Sequence, residues 1–402
     1  MKSLHFAILI LLSAGVMNTL AAQEAEKTTD SGYHFTIKKQ LPATPVRNQY
    51  RSSTCWSYSA ISFLESELLR MGKDTFDLSE MFVVRNVYSD KAIAYIRWNG
   101  KHNFAGGGAS HDVTDVLRKY GMVPEEAYTG NTIGETNPVH GEMDEVLKAN
   151  VDAVLKNSNR KLSPVWHQGF QGLLDAYLGK YPEKFIYEGK EYTPKSFAAS
   201  LGLNPDDYVE VTSFTHHPYY SSFIMEVPDN WNLGSVYNVP LDDMIRVIDQ
   251  SLQNGYTVVW GADISEKGFS WRNGLAVVPD RNAPEVAGME RNKWEKMTDA
   301  EKDKLLFKFD KPMPEKNITV EMRQTEFDKY QTTNDHGMHI TGTEEDQNGK
   351  KYYLVKNSWG TDGNPYNGYC YASEAFVKLK TISLMVHKNA IPSDIRIKLG
   401  IK

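Results

Sequence analysis

Cysteine is scarce in this chain: Cys55 and Cys370 are the only two among 402 residues. That count excludes a disulfide-stapled scaffold, and both are expected as free thiols. Long apolar runs are missing too. Past the N-terminal region nothing approaches the ~18 apolar residues that a membrane span requires, so stable membrane insertion is not expected. Basic clusters are also absent. Lys and Arg number 45 against 51 Asp and Glu, a formal charge of −6, and Lys38-Lys39 and Lys350-Lys351 are the short exceptions. A nucleic-acid partner needs a concentrated basic surface, so none is expected. No helical H-E-x-x-H occurs. His336-Gly337-Met338-His339 holds Gly and Met between its histidines in a strand-like context, which sends the two rings to opposite faces. His216-His217-Pro218-Tyr219 reads as a loop broken by proline. Gly106-Gly107-Gly108 is followed by no Lys-Ser/Thr pair, so it is no phosphate loop. Neither a metal nor a cofactor is expected.

What the chain does have begins with an export signal. Lys2 and His5 precede the apolar run Phe6 to Leu12, and small residues lead to Thr19-Leu20-Ala21-Ala22-Gln23. This predicts a signal peptide over 1–22, cleaved between Ala21 and Gln23. Export to a periplasm or secretion follows as the expected location. No cysteine lies near the cleavage site for a lipid anchor. Residues 23–41 are too few for an inhibitory pro-segment.

Cys55 sits in Gln49-Tyr50-Arg51-Ser52-Ser53-Thr54-Cys55-Trp56-Ser57. Ile61, Leu64, Leu68 and Met71 follow at helical spacing. Ser52 or Ser53 could cap that helix, with Cys55 in its first turn, where the dipole and free backbone amides favour a thiolate. Alone, such a cysteine reads as a buried structural thiol. Cys370, in the alternating Gly368-Tyr369-Cys370-Tyr371-Ala372, has that plain reading: a small core residue on a strand.

The partners that a reactive thiolate needs stand near the other end. Asp335-His336-Gly337-Met338-His339-Ile340-Thr341 and Tyr352-Tyr353-Leu354-Val355-Lys356-Asn357-Ser358-Trp359-Gly360 read as two strands joined through Glu344 to Gly349. His336 would enter the first strand and Asn357 leave the second, facing each other across the ladder. A nucleophilic cysteine needs an imidazole to take its proton, and the imidazole needs a group that fixes its tautomer. Trp359 can shield the Asn–His bond from water.

The set Gln49/Cys55-Trp56, His336 and Asn357-Ser358-Trp359-Gly360 resembles the papain-like cysteine peptidases. Pro45-Val46-Arg47-Asn48-Gln49, Asp77-Leu78-Ser79-Glu80, Gly107-Gly108, Lys119 to Pro124, Tyr192 to Phe197, Tyr237 to Leu241 and Trp260-Gly261-Ala262-Asp263 narrow the likeness to the bleomycin hydrolase / aminopeptidase C family. It runs from about Pro42 to the C-terminus. The resemblance implies an α+β fold with a cleft between a helical half, about 42–135, and an antiparallel β-barrel half, about 206–402. A helical insertion, about 140–205, lies between them within one peptidase domain over 23–402. It also implies Cys55 as nucleophile, His336 as base then acid, Asn357 as its orienter and Gln49 as oxyanion donor. Gly107, Gly108 and Trp359 would contact a peptide substrate, the glycines letting its backbone approach as an added strand.

Cys55 and His336 are 281 residues apart, against about 130–150 in papain-type enzymes. In the resembled family the extra helical material builds a homohexamer, which is therefore the expected assembly. Relatives carry an aromatic after the glycine pair. Here Ala109-Ser110-His111-Asp112 stands instead, which leaves side-chain preference open; His111 and Asp112 are read as surface polar residues at a helix start, with specificity elements as the alternative. The family's C-terminal arm runs into the cleft and imposes aminopeptidase action; its tail motif is missing here. Three functions are thus carried forward: an aminopeptidase, an oligo- or endopeptidase with an open cleft, and a non-catalytic binding or scaffold protein on the same fold.

Overall fold

The computed structural model describes residues 32–159, 161–282 and 291–402. The expected signal peptide, 1–22, lies outside them. Helices and strands segregate. The first five helices are α1 (Cys55–Arg70), α2 (Glu80–Arg97), α3 (Ser110–Lys119), α4 (Gly141–Leu155) and α5 (Trp166–Leu178); a short hairpin, residues 185–192, and α6 (Pro194–Leu201) complete the helical half. Six more α-helices follow among the described residues, of which α7 is Leu241–Gln253.

Helix α1 is buried on every side from Trp56 to Leu68, because it runs between the two halves. Its polar residues are satisfied locally, as burial demands. Ser57 Oγ donates to the Glu80 carbonyl at 3.0 Å, Ser66 Oγ to the Pro42 carbonyl at 3.1 Å, and Glu65 accepts from the Leu78 N–H at 2.9 Å. Thr54, not Ser52 or Ser53, occupies the capping position, and its side chain makes no cap bond. The Thr54 hydroxyl is taken by Ser52 Oγ, and Ser53 is held at a φ of +57°.

The 140–205 stretch shares one core with the helical half. Leu147, Val151, Phe170, Leu174 and Leu178 are all within 1% of full burial there. At roughly 1.5–3 kcal/mol for each such side chain, exposing them would cost as much as the whole stability of a typical domain, about 5–15 kcal/mol. The stretch is therefore structural and not a decoration.

The strand half contains one eleven-stranded sheet. Its centre is a long strand, βA here, His336–Asp346, flanked by Val258–Ala262 on one edge and Lys351–Lys356 on the other. The far half of βA also pairs with the N-terminal strand Phe35–Gln40. Beyond Val258–Ala262 the sheet continues to Thr381–His387 and Tyr208–Thr212; beyond Lys351–Lys356 it continues to Tyr369–Ser373. Most pairs are antiparallel, but Tyr208–Thr212 with Ser235–Asn238, and Tyr369–Ser373 with Leu275–Ala276, are parallel. The expected barrel half is thus an open sheet, not a closed barrel: its two terminal strands do not pair with each other. Trp260, Ile340, Tyr353, Val355 and Cys370 fill its core. Cys370 sits opposite Val355, fully buried.

Among the described residues no helix is long and apolar enough to cross a membrane.

Candidate active site

Cys55 is the first residue of α1, and His336 the first of βA. What lets the two elements meet is Gly337. A Cβ there would lie 2.8 Å from Ser59 Oγ and 3.3 Å from the Cys55 carbonyl oxygen. Lower on the same contact, Ser62 Oγ of α1 bonds His339 Nδ1 of βA at 2.9 Å. The H-x-x-H pair is thus divided: His339 is buried against α1, while His336 lines the cleft with Cys55. Gly337→Ala should push βA off α1 and lower kcat about 10-fold, since small misplacements of reacting groups are costly, with thermal stability falling far less. An unchanged kcat would remove Gly337 from this role.

The cleft is a cavity of about 450 Å³, and Gln49, Cys55, Trp56, Gly107, Gly108, His336 and Trp359 all line it. The sequence-derived set is therefore brought together, with Asn357 directly behind. His336 Nε2 donates to Asn357 Oδ1 at 2.7 Å, and the Ser358 N–H donates to the same oxygen at 2.7 Å. This fixes the Nε2–H tautomer and leaves Nδ1 as the basic nitrogen. Asn357 is 3% exposed and His336 5%. The Trp359 ring lies 4.8 Å from that of His336, closing the bond off from water.

Gln49 is held from the same segment. Its N–H donates to the Ser358 carbonyl at 2.8 Å, and its Oε1 accepts from Ser358 Oγ at 2.7 Å. With Oε1 engaged, the Nε2 amide is the free donor of a side chain that lines the cavity. Trp56 Nε1 donates to the Gly106 carbonyl at 3.0 Å, anchoring the glycine loop. A Cβ on Gly108 would come 2.8 Å from the Trp56 ring and from Asp112 Oδ2, so only glycine fits there.

The electrostatics are those of a dry site. Burial pushes the Cys55 thiol up to about 11, although the N–H groups of Gly337 and Trp56 pull it down. Burial likewise lowers His336 to about 4, against the upward effect of its Asn357 bond. Burial thus overrides the thiolate preference expected from the helix start. The imidazole is neutral above its pKa and can accept a proton from a thiol that does not ionise by itself.

Two expectations fail locally. His111 and Asp112 are not surface residues: Asp112 is 1% exposed, accepting from the Ala109 N–H at 2.9 Å and Trp231 Nε1 at 2.8 Å. Ala109 cannot cap α3 with a side chain, so Asp112 in the first turn supplies the acceptor. His111 Nδ1 pairs with Glu210 at 3.1 Å, and that carboxylate keeps the imidazole protonated, up to about 10, against burial. Sequence reasoning also missed Glu226, which bonds His216 at 3.1 Å and His217 at 2.8 Å. The three offer ligand atoms within 4.8 Å of one another and could hold a metal ion on the surface, outside the catalytic cleft. The cleft's remaining carboxylates are Asp335, just ahead of His336, and Asp229, from a loop that motif reading passed over.

The description "Peptidase C1-like family" matches residues 287–400. The chain is 22% identical over 397 residues to aminopeptidase G of Lactobacillus delbrueckii subsp. lactis, covering 88% of this chain and 83% of that one. It is 21% identical over 430 residues to aminopeptidase C of Listeria monocytogenes, covering 96% and 90%. The crystal structure of PepW from Lactobacillus rhamnosis HN001 superposes with a TM-score of 0.67 at 19% identity, over 91% of this chain and 84% of that one. That likeness establishes the papain-like architecture. A thiol, an oriented imidazole and an amide donor thus line one cleft on a papain-like fold, in a chain similar to aminopeptidases G and C and matching the Peptidase C1-like family over 287–400.

Proposed function

We propose that the cleft releases single residues from the free N-terminus of peptides. The observation that carries this is the His336–Asn357–Ser358–Gln49 relay of bonds, which orients a base and an amide donor around one thiol. Cys55 Sγ attacks the carbonyl carbon as its proton passes to His336 Nδ1. Gln49 Nε2 and the Cys55 N–H stabilise the oxyanion. His336 then returns the proton to the leaving amine, and water, activated by the same imidazole, hydrolyses the thioester and regenerates the thiol. The names of the relatives, aminopeptidases G and C, favour the exopeptidase form.

One observation favours the second reading, an open-cleft oligo- or endopeptidase. No residue after Ser383 lines the cavity. The C-terminal helix Ser393–Lys398 packs instead on the sheet core through Ile395, and Asp394 pairs with Arg246 of α7 at 2.9 Å. Hydrolysis of alanyl-aminomethylcoumarin is expected to exceed that of its N-acetyl form by about 100-fold or more, because an unpaired buried ionic partner costs roughly that much. Equal turnover of the two would establish the open-cleft reading, and turnover of neither would leave a binding protein. Export and a homohexameric assembly are part of the proposal. N-terminal sequencing of the extracytoplasmic protein should begin at Ala22 or Gln23, and light scattering should give six copies.

A further inference from the structure

The cavity wall carries three carboxylates, and two of them have fixed partners. Glu210 accepts from the His111 N–H at 3.0 Å and pairs with its ring. Asp335 accepts from the backbone N–H groups of Ile264 and Ser265, at 2.9 and 3.2 Å. Asp229 differs. It accepts a single long bond, 3.3 Å, from Asn334 Nδ2, and among the described residues it forms no ion pair. No Lys or Arg lines the cavity. The nearest cation behind it, Lys91 of α2, donates its Nζ to the carbonyls of Ala105, at 2.7 Å, and Gly107.

The position of Asp229 matters as much as its charge. A Cβ built on Gly107 would lie 2.2 Å from Asp229 Oδ1, so the carboxylate rests directly on the Gly107 α-carbon. Lys91 engages the Gly107 carbonyl and is the cation whose field reaches Asp229. An extended peptide adding a strand along Gly107-Gly108 needs that edge free. Here it meets a carboxylate at the place where the chain would continue away from the thiol. Asn334 ties Asp229 to the segment two residues ahead of His336, so the anion is held in register with the catalytic base.

The geometry points to Asp229 as the receptor for the protonated α-amino group of the substrate. This rests on the aminopeptidase reading and deepens it: the stop at the amino end of the cleft is a side chain of the loop before Asn230, not the chain's C-terminal segment. The group recognised is an ammonium attached to the residue whose carbonyl Cys55 attacks. The charged and titratable groups around Asp229 are Lys91 from α2, Asp335 and His336 from the entry of βA, the His111–Glu210 pair and Cys55 itself.

The test uses the full-length protein, wild type and Asp229→Asn, with three substrates: alanyl-, N-acetyl-alanyl- and N-acetyl-arginyl-aminomethylcoumarin. Asparagine keeps the shape and the Asn334 contact but removes the charge. For the free-amine substrate kcat/KM should fall roughly 30-fold, as expected for loss of a charge-assisted bond, while N-acetyl-alanyl turnover stays level or rises. Wild-type kcat/KM for the free amine should also decline above about pH 8, where the α-amine loses its proton, and Asp229→Asn should flatten that decline. The rate of Cys55 alkylation by iodoacetamide should not fall, since removing the nearby Asp229 charge eases thiolate formation, which separates loss of recognition from loss of fold. If wild type prefers the free amine and Asp229→Asn keeps that preference within threefold, the assignment of Asp229 is overturned alone. If wild type shows no preference, the aminopeptidase reading itself has failed. A loss confined to N-acetyl-arginyl-aminomethylcoumarin would mean that Asp229 reads a basic side chain and would also overturn the assignment.

Discussion

Cys55→Ala is expected to lower kcat by about 10⁵-fold or more, the scale on which removal of a nucleophile acts, while the melting temperature stays within a few degrees. The substitution deletes one sulfur at the start of α1, on the cavity surface, and leaves the Trp56 anchor and the buried face of the helix intact. His336→Gln should be as damaging, and it tells more when alkylation is read instead of turnover. Burial holds the unaided thiol near 11, so at pH 6 almost none of it is thiolate. In the wild type a neutral imidazole, whose own pKa burial has lowered to about 4, is free at pH 6 to take the proton. The sign is therefore fixed: iodoacetamide should label wild-type Cys55 quickly at pH 6, and His336→Gln should need a pH near 10 for the same rate. Activity should fall in acid as His336 protonates and can no longer serve as base. Equal labelling rates for the two proteins at pH 6 would show that His336 does not act on Cys55.

Gln49→Ala should lower kcat by about 10²- to 10³-fold with little change in KM, the pattern for a donor that meets charge only in the transition state. The structural reason is the Ser358 hydroxyl, which occupies Gln49 Oε1 and so decides which end of the amide faces the cavity. Gln49→Glu should be worse than Gln49→Ala, because it aims an anion at the developing oxyanion. Steady-state kinetics on one aminoacyl amide suffices. A kcat within threefold of wild type for Gln49→Ala would assign the oxyanion to other donors.

The candidate site residues stood out in the sequence because the chemistry they would perform constrains the neighbours. His336 and Asn357 flank a hairpin whose alternation is plain, and the structure pairs its strands antiparallel, with His339 opposite Lys356. Leu147 and Val151, then Phe170, Leu174 and Leu178, recur at helical spacing, and the structure has helices at 141–155 and 166–178. What was not legible depended on distant contacts. Closure of the sheet is decided by which edge strands meet, a property no local pattern records. The burial of His111 and Asp112 follows from Glu210, Trp231 and Asn232, about a hundred residues away in the chain. Asp229 escaped notice because a single Asp before Asn230-Trp231 resembles any polar loop; only its seat on Gly107 gives it meaning.

The junction between α1 and βA has a consequence for the life of the polypeptide. Cys55 leaves the ribosome 281 residues before His336, an interval of roughly 15–60 seconds at ordinary elongation rates. Through that interval the thiol has no base, and an unaided cysteine, with an ordinary pKa of about 8.5, stays mostly protonated at neutral pH. Destructive capacity arrives only when the last strands dock, so the nascent chain cannot digest itself or its neighbours during synthesis. The order of synthesis itself thus keeps the thiol apart from its base until the chain is nearly complete.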